Sequence, residues 1–229
     1  MEKKITRRTL LGSAGVGAML GMRGAAAEEN DRKVLVVGVA CSPRRGMTTA
    51  TATAAALEAA ATNPRIETQL VDLGGMSIAG SLGDGRPADP ADHVPDDFDT
   101  EVLPVLQSEH LGGLIIGSPC YYRCLSSLCM AFLERLAALR QPTMKLADLP
   151  VGALSVGAYR NGGQELVIQQ ILTAMLCHKA KVVGGNPPAF QGATLWNAYQ
   201  DDITRDEFGI VSAQRLGARV AEAALQNTA

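Results

Sequence analysis

Five side chains able to hold an anion fall within residues 42–49 (SPRRGMTT). Ser42, Thr48 and Thr49 offer hydroxyls, Arg44 and Arg45 offer charge, and Gly46 and Met47 lie between them. The neighbouring elements fit that use. Residues 34–39 (VLVVGV) are apolar and rich in β-branched side chains, which reads as a strand buried on both faces and central in a parallel sheet. Pro43 cannot donate to a ladder and disfavours helix at Ser42, so the chain turns there. The alanine-rich residues 50–61 then read as a helix. A strand, a polar turn and a helix start set free backbone N–H groups and the positive end of the helix dipole against an anion such as phosphate. Neither GK[ST] nor GxGxxG is present, so the stretch is not a P-loop or a dinucleotide fingerprint. An ordinary strand-to-helix turn with a threonine cap is the other reading of the same residues.

Two further stretches follow apolar runs in the same way. Residues 112–117 (GGLIIG) lead into Ser118, Pro119, Cys120, Tyr121, Tyr122 and Arg123. Residues 150–156 lead into Gly157, Ala158, Tyr159, Arg160, Asn161, Gly162 and Gly163. In a parallel sheet all strand C-termini share one edge, and ligands bind there at the switch point. The three loops are therefore expected to converge. Phosphate donors at one end, with tyrosines and glycines along the walls, suit a nucleotide-like cofactor with a planar ring.

The remaining pattern supplies the frame. Strands are expected at 66–71 and 181–184, and helices at 99–109, 125–140, 164–178 and 204–225, with 186–199 irregular. Five strands alternating with helices predict an α/β fold: a doubly wound five-stranded parallel sheet with helices on both faces. Residues 72–98 form a long excursion dense in Gly, Pro and Asp. Its aspartates lack calcium-loop spacing and read as a solvated surface, and His93 reads as a surface residue. The 229 residues suffice for one sizeable α/β domain. Five cysteines do not make a disulfide scaffold, and Cys129 and Cys177 read as core residues.

Charge is unevenly placed. Residues 1–27 carry five basic side chains against Glu2, so a net charge of -2 leaves an acidic body that argues against a nucleic-acid partner. A basic start, a mildly apolar middle and an Ala-Ala-Ala end mark residues 1–27 as a targeting segment. Thr6-Arg7-Arg8-Thr9-Leu10-Leu11 resembles the twin-arginine export signal. That resemblance implies a periplasmic or exported protein with its folded domain at 28–229. An uncleaved signal would leave a membrane tether.

The three loops also carry a family resemblance. Residues 42–49 (SPRRGMTT), 117–122 (GSPCYY), 157–165 (GAYRNGGQE) and the segment 126–135 (SSLCMAFLER) together resemble the flavodoxin-like NAD(P)H-dependent FMN reductases, near the iron–sulfur flavoprotein branch. The resemblance implies a flavodoxin-like fold of strand order 2-1-3-4-5 with bound FMN. It places the FMN phosphate on Ser42, Arg44, Arg45, Gly46, Met47, Thr48 and Thr49. It sets Pro119, Cys120, Tyr121, Tyr122 and Arg123 along the isoalloxazine, and Gly157, Tyr159, Arg160, Gly162 and Gly163 at its pyrimidine edge. The flavin does the redox chemistry, so no catalytic side chain and no metal ligand is expected.

The resemblance further implies electron transfer from NAD(P)H to a quinone, a free flavin or another acceptor, and a homodimer or higher homo-oligomer. Export conflicts with a nicotinamide donor, so a quinol or a redox protein is expected in its place. The iron–sulfur branch carries a compact cysteine cluster after its second strand. Here no cysteine lies between Cys41 and Cys120, so no iron–sulfur cluster is expected. Cys41 and Cys120 end adjacent predicted strands, which leaves a disulfide between them open. The rival reading is a flavodoxin-type electron carrier without enzymatic activity, although carriers of that type use a T-x-T-G-x-T phosphate loop. A flavin-free binding domain of the same fold is a third reading.

Overall fold

The computed structural model describes residues 33–81, 83–84 and 94–227. The expected export segment, His93, Asp89 and Asp92 lie outside the described residues. The strands are β1 Val34–Ala40, β2 Ile66–Asp72, β3 Leu111–Pro119, β4 Pro150–Gly157, β5 Lys181–Val182 and β6 Ala193–Trp196. The helices are α1 Thr48–Ala60, α2 Leu103–Leu106, α3 Ser127–Arg135, α4 Gln164–Leu176 and α5 Glu207–Asn227. All strand pairs are parallel, in the order β2-β1-β3-β4-β5, with β6 also on β4.

The two-residue strand period divides the core. Val37, Val39, Leu114 and Ile116 pack with Phe132 of α3 and Ile168 and Met175 of α4. Val36, Ile115 and Leu154 face the other way, onto Ala56 of α1 and Leu216 and Val220 of α5. Every residue of β1 is buried, as its unbroken apolar run requires. No described helix is long and apolar enough to cross a membrane.

Several elements differ from expectation, each for a local reason. The helix expected at 99–109 is a π-turn Phe98–Val102 followed by the single turn of α2. Pro104 has no N–H to continue the α-ladder there. The helix expected at 125–140 is α3 followed by a 3-10 segment Leu136–Arg140, with Ser126 as its N-cap accepting from the Cys129 N–H. The expected last strand shrinks to β5, and β6 arises inside the stretch read as irregular. Both occupy one edge of β4. β5 pairs with Pro150 and Val151, and β6 pairs with residues 154–157. Cys177 is exposed, not in the core.

Buried Arg135 closes the base of the long excursion. It pairs with Asp96 and, at 2.7 Å, with Asp99, and its guanidinium lies 4.7 Å from the Phe98 ring centroid.

Candidate functional site

The loops after β1, β3 and β4 meet at one sheet edge around a cavity of about 710 Å³. That volume lies within the range of about 300–1,000 Å³ usual for small-molecule sites. From the first loop Ser42, Arg44, Thr48 and Thr49 line it. The N-cap of α1 is Met47, whose side chain makes no capping bond, so the helix start keeps its amides for another acceptor. Ser42 Oγ accepts from the Arg44 N–H at 3.2 Å, which folds the loop back over the strand end.

Arg45, Gly46 and Met47 do not line the cavity. Arg45 Nε donates to the Gly74 carbonyl at 2.8 Å, and the Gly46 N–H donates to Asp72 Oδ2 at 2.6 Å. These two residues anchor the loop to the end of β2. Gly46 serves through its left-handed backbone, φ 69°.

Pro119, Cys120, Tyr121, Tyr122 and Arg123 all line the cavity from the second loop. Tyr121 and Cys124 exchange both backbone hydrogen bonds at 2.9 Å, closing a two-residue turn. Its central residues, Tyr122 and Arg123, have φ of 53° and 67°. A turn with both central φ values positive favours Asn-Gly, so these side chains hold a backbone that costs about 1–3 kcal/mol per residue. The result is a fully exposed Tyr122 ring at the cavity rim. Ser126 ties this loop to the first: its Oγ donates to the Cys41 carbonyl at 2.6 Å, and its N–H donates to Ser118 Oγ.

The third loop contributes Gly157, Ala158, Tyr159 and Gly162. Gln164, buried at the start of α4, organises it. The Gln164 amide donates to the Tyr159 and Leu195 carbonyls and accepts from the Gly162 N–H. A Cβ at Gly157 would meet that amide at 2.6 Å, so this glycine is required by internal packing. Cys120 Sγ donates to the Gly162 carbonyl at 3.3 Å, joining the second and third loops. Burial pushes the Cys120 thiol up, against a smaller lowering from Arg123.

Two expected members stand elsewhere. Arg160 pairs with Asp206 and stacks over Trp196. Gly163 holds a left-handed N-cap for α4 at φ 105°, where a Cβ would meet the Arg123 side chain. Both flank a smaller cavity beside the first, which they share with Arg123. The Cys41–Cys120 disulfide that the sequence left open is not formed. All five cysteines are free, and the buried Cys41 thiol has Cys129 as its neighbour.

A fourth segment completes the wall. After β6 the chain passes over the cavity as a strap, and Asn197, Tyr199 and Asp201 line it. Asp201 Oδ1 lies 2.7 Å from Arg44 Nη1, and Tyr199 meets Tyr159 edge-on with centroids 5.1 Å apart. The carboxylate of Asp201 is the main influence holding Arg44 in its charged form. Sequence reasoning missed these residues. The signal was Asn197, Tyr199, Asp201 and Asp202 within six residues of the apolar Leu195-Trp196; as in the other loops, polar and aromatic side chains follow an apolar run.

A doubly wound parallel sheet with a helix start, arginine and aromatic wall at one edge defines a flavodoxin-like protein. Residues 34–194 match the NADPH-dependent FMN reductase family, and the chain belongs to that family. An iron–sulfur flavoprotein of Methanocaldococcus jannaschii is 34% identical over 189 residues, covering 82% of this chain and 95% of its own length. An iron–sulfur flavoprotein of Methanosarcina thermophila is 32% identical over 167 residues, 73% of this chain and 85% of its own.

Among solved structures, RosB with bound 8-demethyl-8-formylriboflavin-5'-phosphate matches with a TM-score of 0.63 at 16% identity, over 85% of this chain and 79% of its own. The WrbA-like flavodoxin of Agrobacterium tumefaciens matches with a TM-score of 0.58 at 16% identity, over 85% and 98%. At such identities these two likenesses carry the fold.

Proposed function

We propose that this chain is an exported flavin-dependent oxidoreductase that holds FMN in the cavity at the ends of β1, β3 and β4. One observation carries the reading. A single cavity joins an uncapped helix start, two buried threonines and an arginine to a wall of tyrosines and backbone. That donor set suits a phosphate at one end and a flat ring at the other. Bound FMN would supply two-electron hydride chemistry. Ser42, Thr48, Thr49 and the first amides of α1 would hold its phosphate, and Arg44 would counter its charge. Pro119, Cys120, Tyr121, Tyr122 and Arg123 would flank the ring. The backbone of Gly157, Ala158 and Gly162 would face its polar edge. Tyr159 and Tyr199 would narrow the opening and exclude water.

The chain's relatives are named iron–sulfur flavoproteins, and a cluster needs four thiolates or their equivalents. The cysteines here do not fit one. Cys41 and Cys129 are buried together, Cys124 and Cys177 are exposed, and Cys120 bonds the Gly162 carbonyl. Among the described residues no three His, Cys, Asp or Glu side chains group as metal ligands. Flavin alone would then carry the electrons.

The twin-arginine-like leader is the support for export. Export in turn argues for a quinol or redox protein as donor, with NAD(P)H activity residual, and for a quinone, a flavin or another small acceptor. The exposed tyrosines of the second loop suit a homodimer contact.

Two measurements test the reading. Acid release of the chromophore followed by mass determination is expected to give FMN; a colourless protein or another chromophore sinks the flavin assignment. Anaerobic stopped-flow mixing with NADPH and with NADH is expected to reduce the flavin slowly. Rapid, saturable reduction by either removes the argument for a different donor.

A further inference from the structure

The phosphate end of the cavity already holds a carboxylate. Asp201 Oδ1 is 2.7 Å from Arg44 Nη1, and both residues line the cavity. Arg44 belongs to the anion-holding loop through its N–H bond to Ser42 Oγ, and Tyr121 lines the same cavity. Asp201 arrives from the opposite wall, on a strap in which Ala198, Tyr199 and Asp201 all have positive φ. The strap is fixed at its start by the Asn197 N–H on the Gly157 carbonyl and by Trp196 Nε1 on the Ala158 carbonyl. Its acid is therefore delivered to the arginine by the fold. Both side chains are 48% exposed, and an ion pair so exposed is weak and readily exchanged.

We propose that Asp201 is a built-in competitor for the cofactor phosphate, and that it sets the affinity and selectivity of the anion end. The proposal rests on the FMN reading above. A phosphate at the start of α1 and the Asp201 carboxylate want the same guanidinium. When phosphate takes Arg44, Asp201 loses its partner and is left beside a second negative group. The cost falls on phosphorylated ligands and not on the ring. Asp201 therefore narrows the preference for FMN over unphosphorylated riboflavin and speeds loss of the phosphorylated form.

The test compares affinities, not turnover. Flavin-free protein is titrated with FMN and with riboflavin, following flavin fluorescence. Asp201→Asn keeps the shape and tolerates the same left-handed backbone. It is expected to tighten FMN about threefold, the scale of an exposed ion pair, and to leave riboflavin unchanged. Asp202→Asn removes the same charge from a side chain that bonds Thr204 and is outside the cavity lining; it is expected to change neither. In an Arg44→Met background the gain from Asp201→Asn is expected to shrink, since only the direct repulsion between carboxylate and phosphate is then left to remove.

The proposal is overturned by an unchanged or weaker FMN affinity in Asp201→Asn, by an equal gain for riboflavin or in Asp202→Asn, or by a gain that is undiminished in Arg44→Met. A wild-type protein that takes up neither flavin removes the FMN reading instead. Inorganic phosphate, titrated by calorimetry, then carries the same comparison: tighter binding in Asp201→Asn supports the competition, and equal binding ends it.

Discussion

Arg160 Nη2 donates to Asp206 Oδ1 at 2.7 Å, and its guanidinium lies 5.0 Å from the centroid of the Trp196 ring. The arginine that resembles a flavin ligand in sequence is thus committed to the chain's own C-terminal half. Asp206 is buried and also accepts from the Trp196 N–H at 2.8 Å and from the Gly209 N–H at 3.0 Å. One carboxylate joins β6, the third loop and the start of α5. Asp206→Asn is expected to lower the unfolding free energy by about 2 kcal/mol, since charged acceptor bonds are lost in a buried place. Arg160→Met takes one charged donor from buried Asp206 but leaves its two backbone donors, and is expected to cost about 1.5 kcal/mol. Its effect on FMN affinity should be smaller than that of Arg44→Met. Urea unfolding and flavin titration check both; an Arg160 variant that loses FMN more severely than the Arg44 variant returns Arg160 to the cofactor.

The Arg135 clasp sets a second expectation. Its guanidinium is wholly buried between two carboxylates, and removing one partner from such a set costs about 3 kcal/mol. Arg135→Met is expected to do so and to loosen the excursion that Asp96 closes.

Acidification should act on the same clasp. Burial pushes the Asp96 carboxyl up, but the Ala79 N–H and the Arg135 guanidinium outweigh it and hold the carboxyl below its ordinary value. A depressed folded value means the stabilisation is whole above the unfolded value of about 4 and drains as pH falls through the folded one. Urea unfolding from about pH 6 to pH 2 is expected to show a shallower acid loss in Asp96→Asn than in wild type. Equal slopes would mean that other carboxylates govern the acid limb.

Much of this was legible in the chain. The apolar runs placed β1, β3 and β4 because strands buried on both faces leave no polar alternation. Parallel topology then brought Thr49, Tyr121 and Tyr159 to one edge. The strap was not legible for a physical reason. β5 and β6 share one sheet position against β4, with residues 183–192 looping out between them. Neither piece is long enough to announce itself as a strand. Nor could composition tell Arg44, which lines the cavity, from Arg45, which bonds the Gly74 carbonyl. That division depends on where β2 ends.

The second loop stores strain, and a substitution can release it. Arg123 sits at φ 67° in a turn that glycine adopts freely. Arg123→Gly is expected to raise stability by about 1 kcal/mol, most of the left-handed penalty for a residue with a Cβ. The same change removes a charged side chain from the cavity wall, so flavin affinity should fall. A variant that is both less stable and weaker in binding would show that the Arg123 side chain holds the turn in place.

Cys120 gives a chemical readout of the site. It lies on the cavity wall with its thiol on the Gly162 carbonyl, and burial raises its pKa. A raised value keeps the thiol protonated to higher pH, and only the thiolate alkylates readily. Iodoacetamide is therefore expected to modify exposed Cys124 and Cys177 first at about pH 8. Modification of Cys120 should follow only as pH rises. A ligand over the second loop would cover the Cys120 sulfur but leave Cys177, at the far end of α4, untouched. Saturating FMN should then slow alkylation of Cys120 several-fold without changing Cys177, read by peptide mass mapping. Equal rates at Cys120 with and without FMN would place the flavin ring away from the second loop.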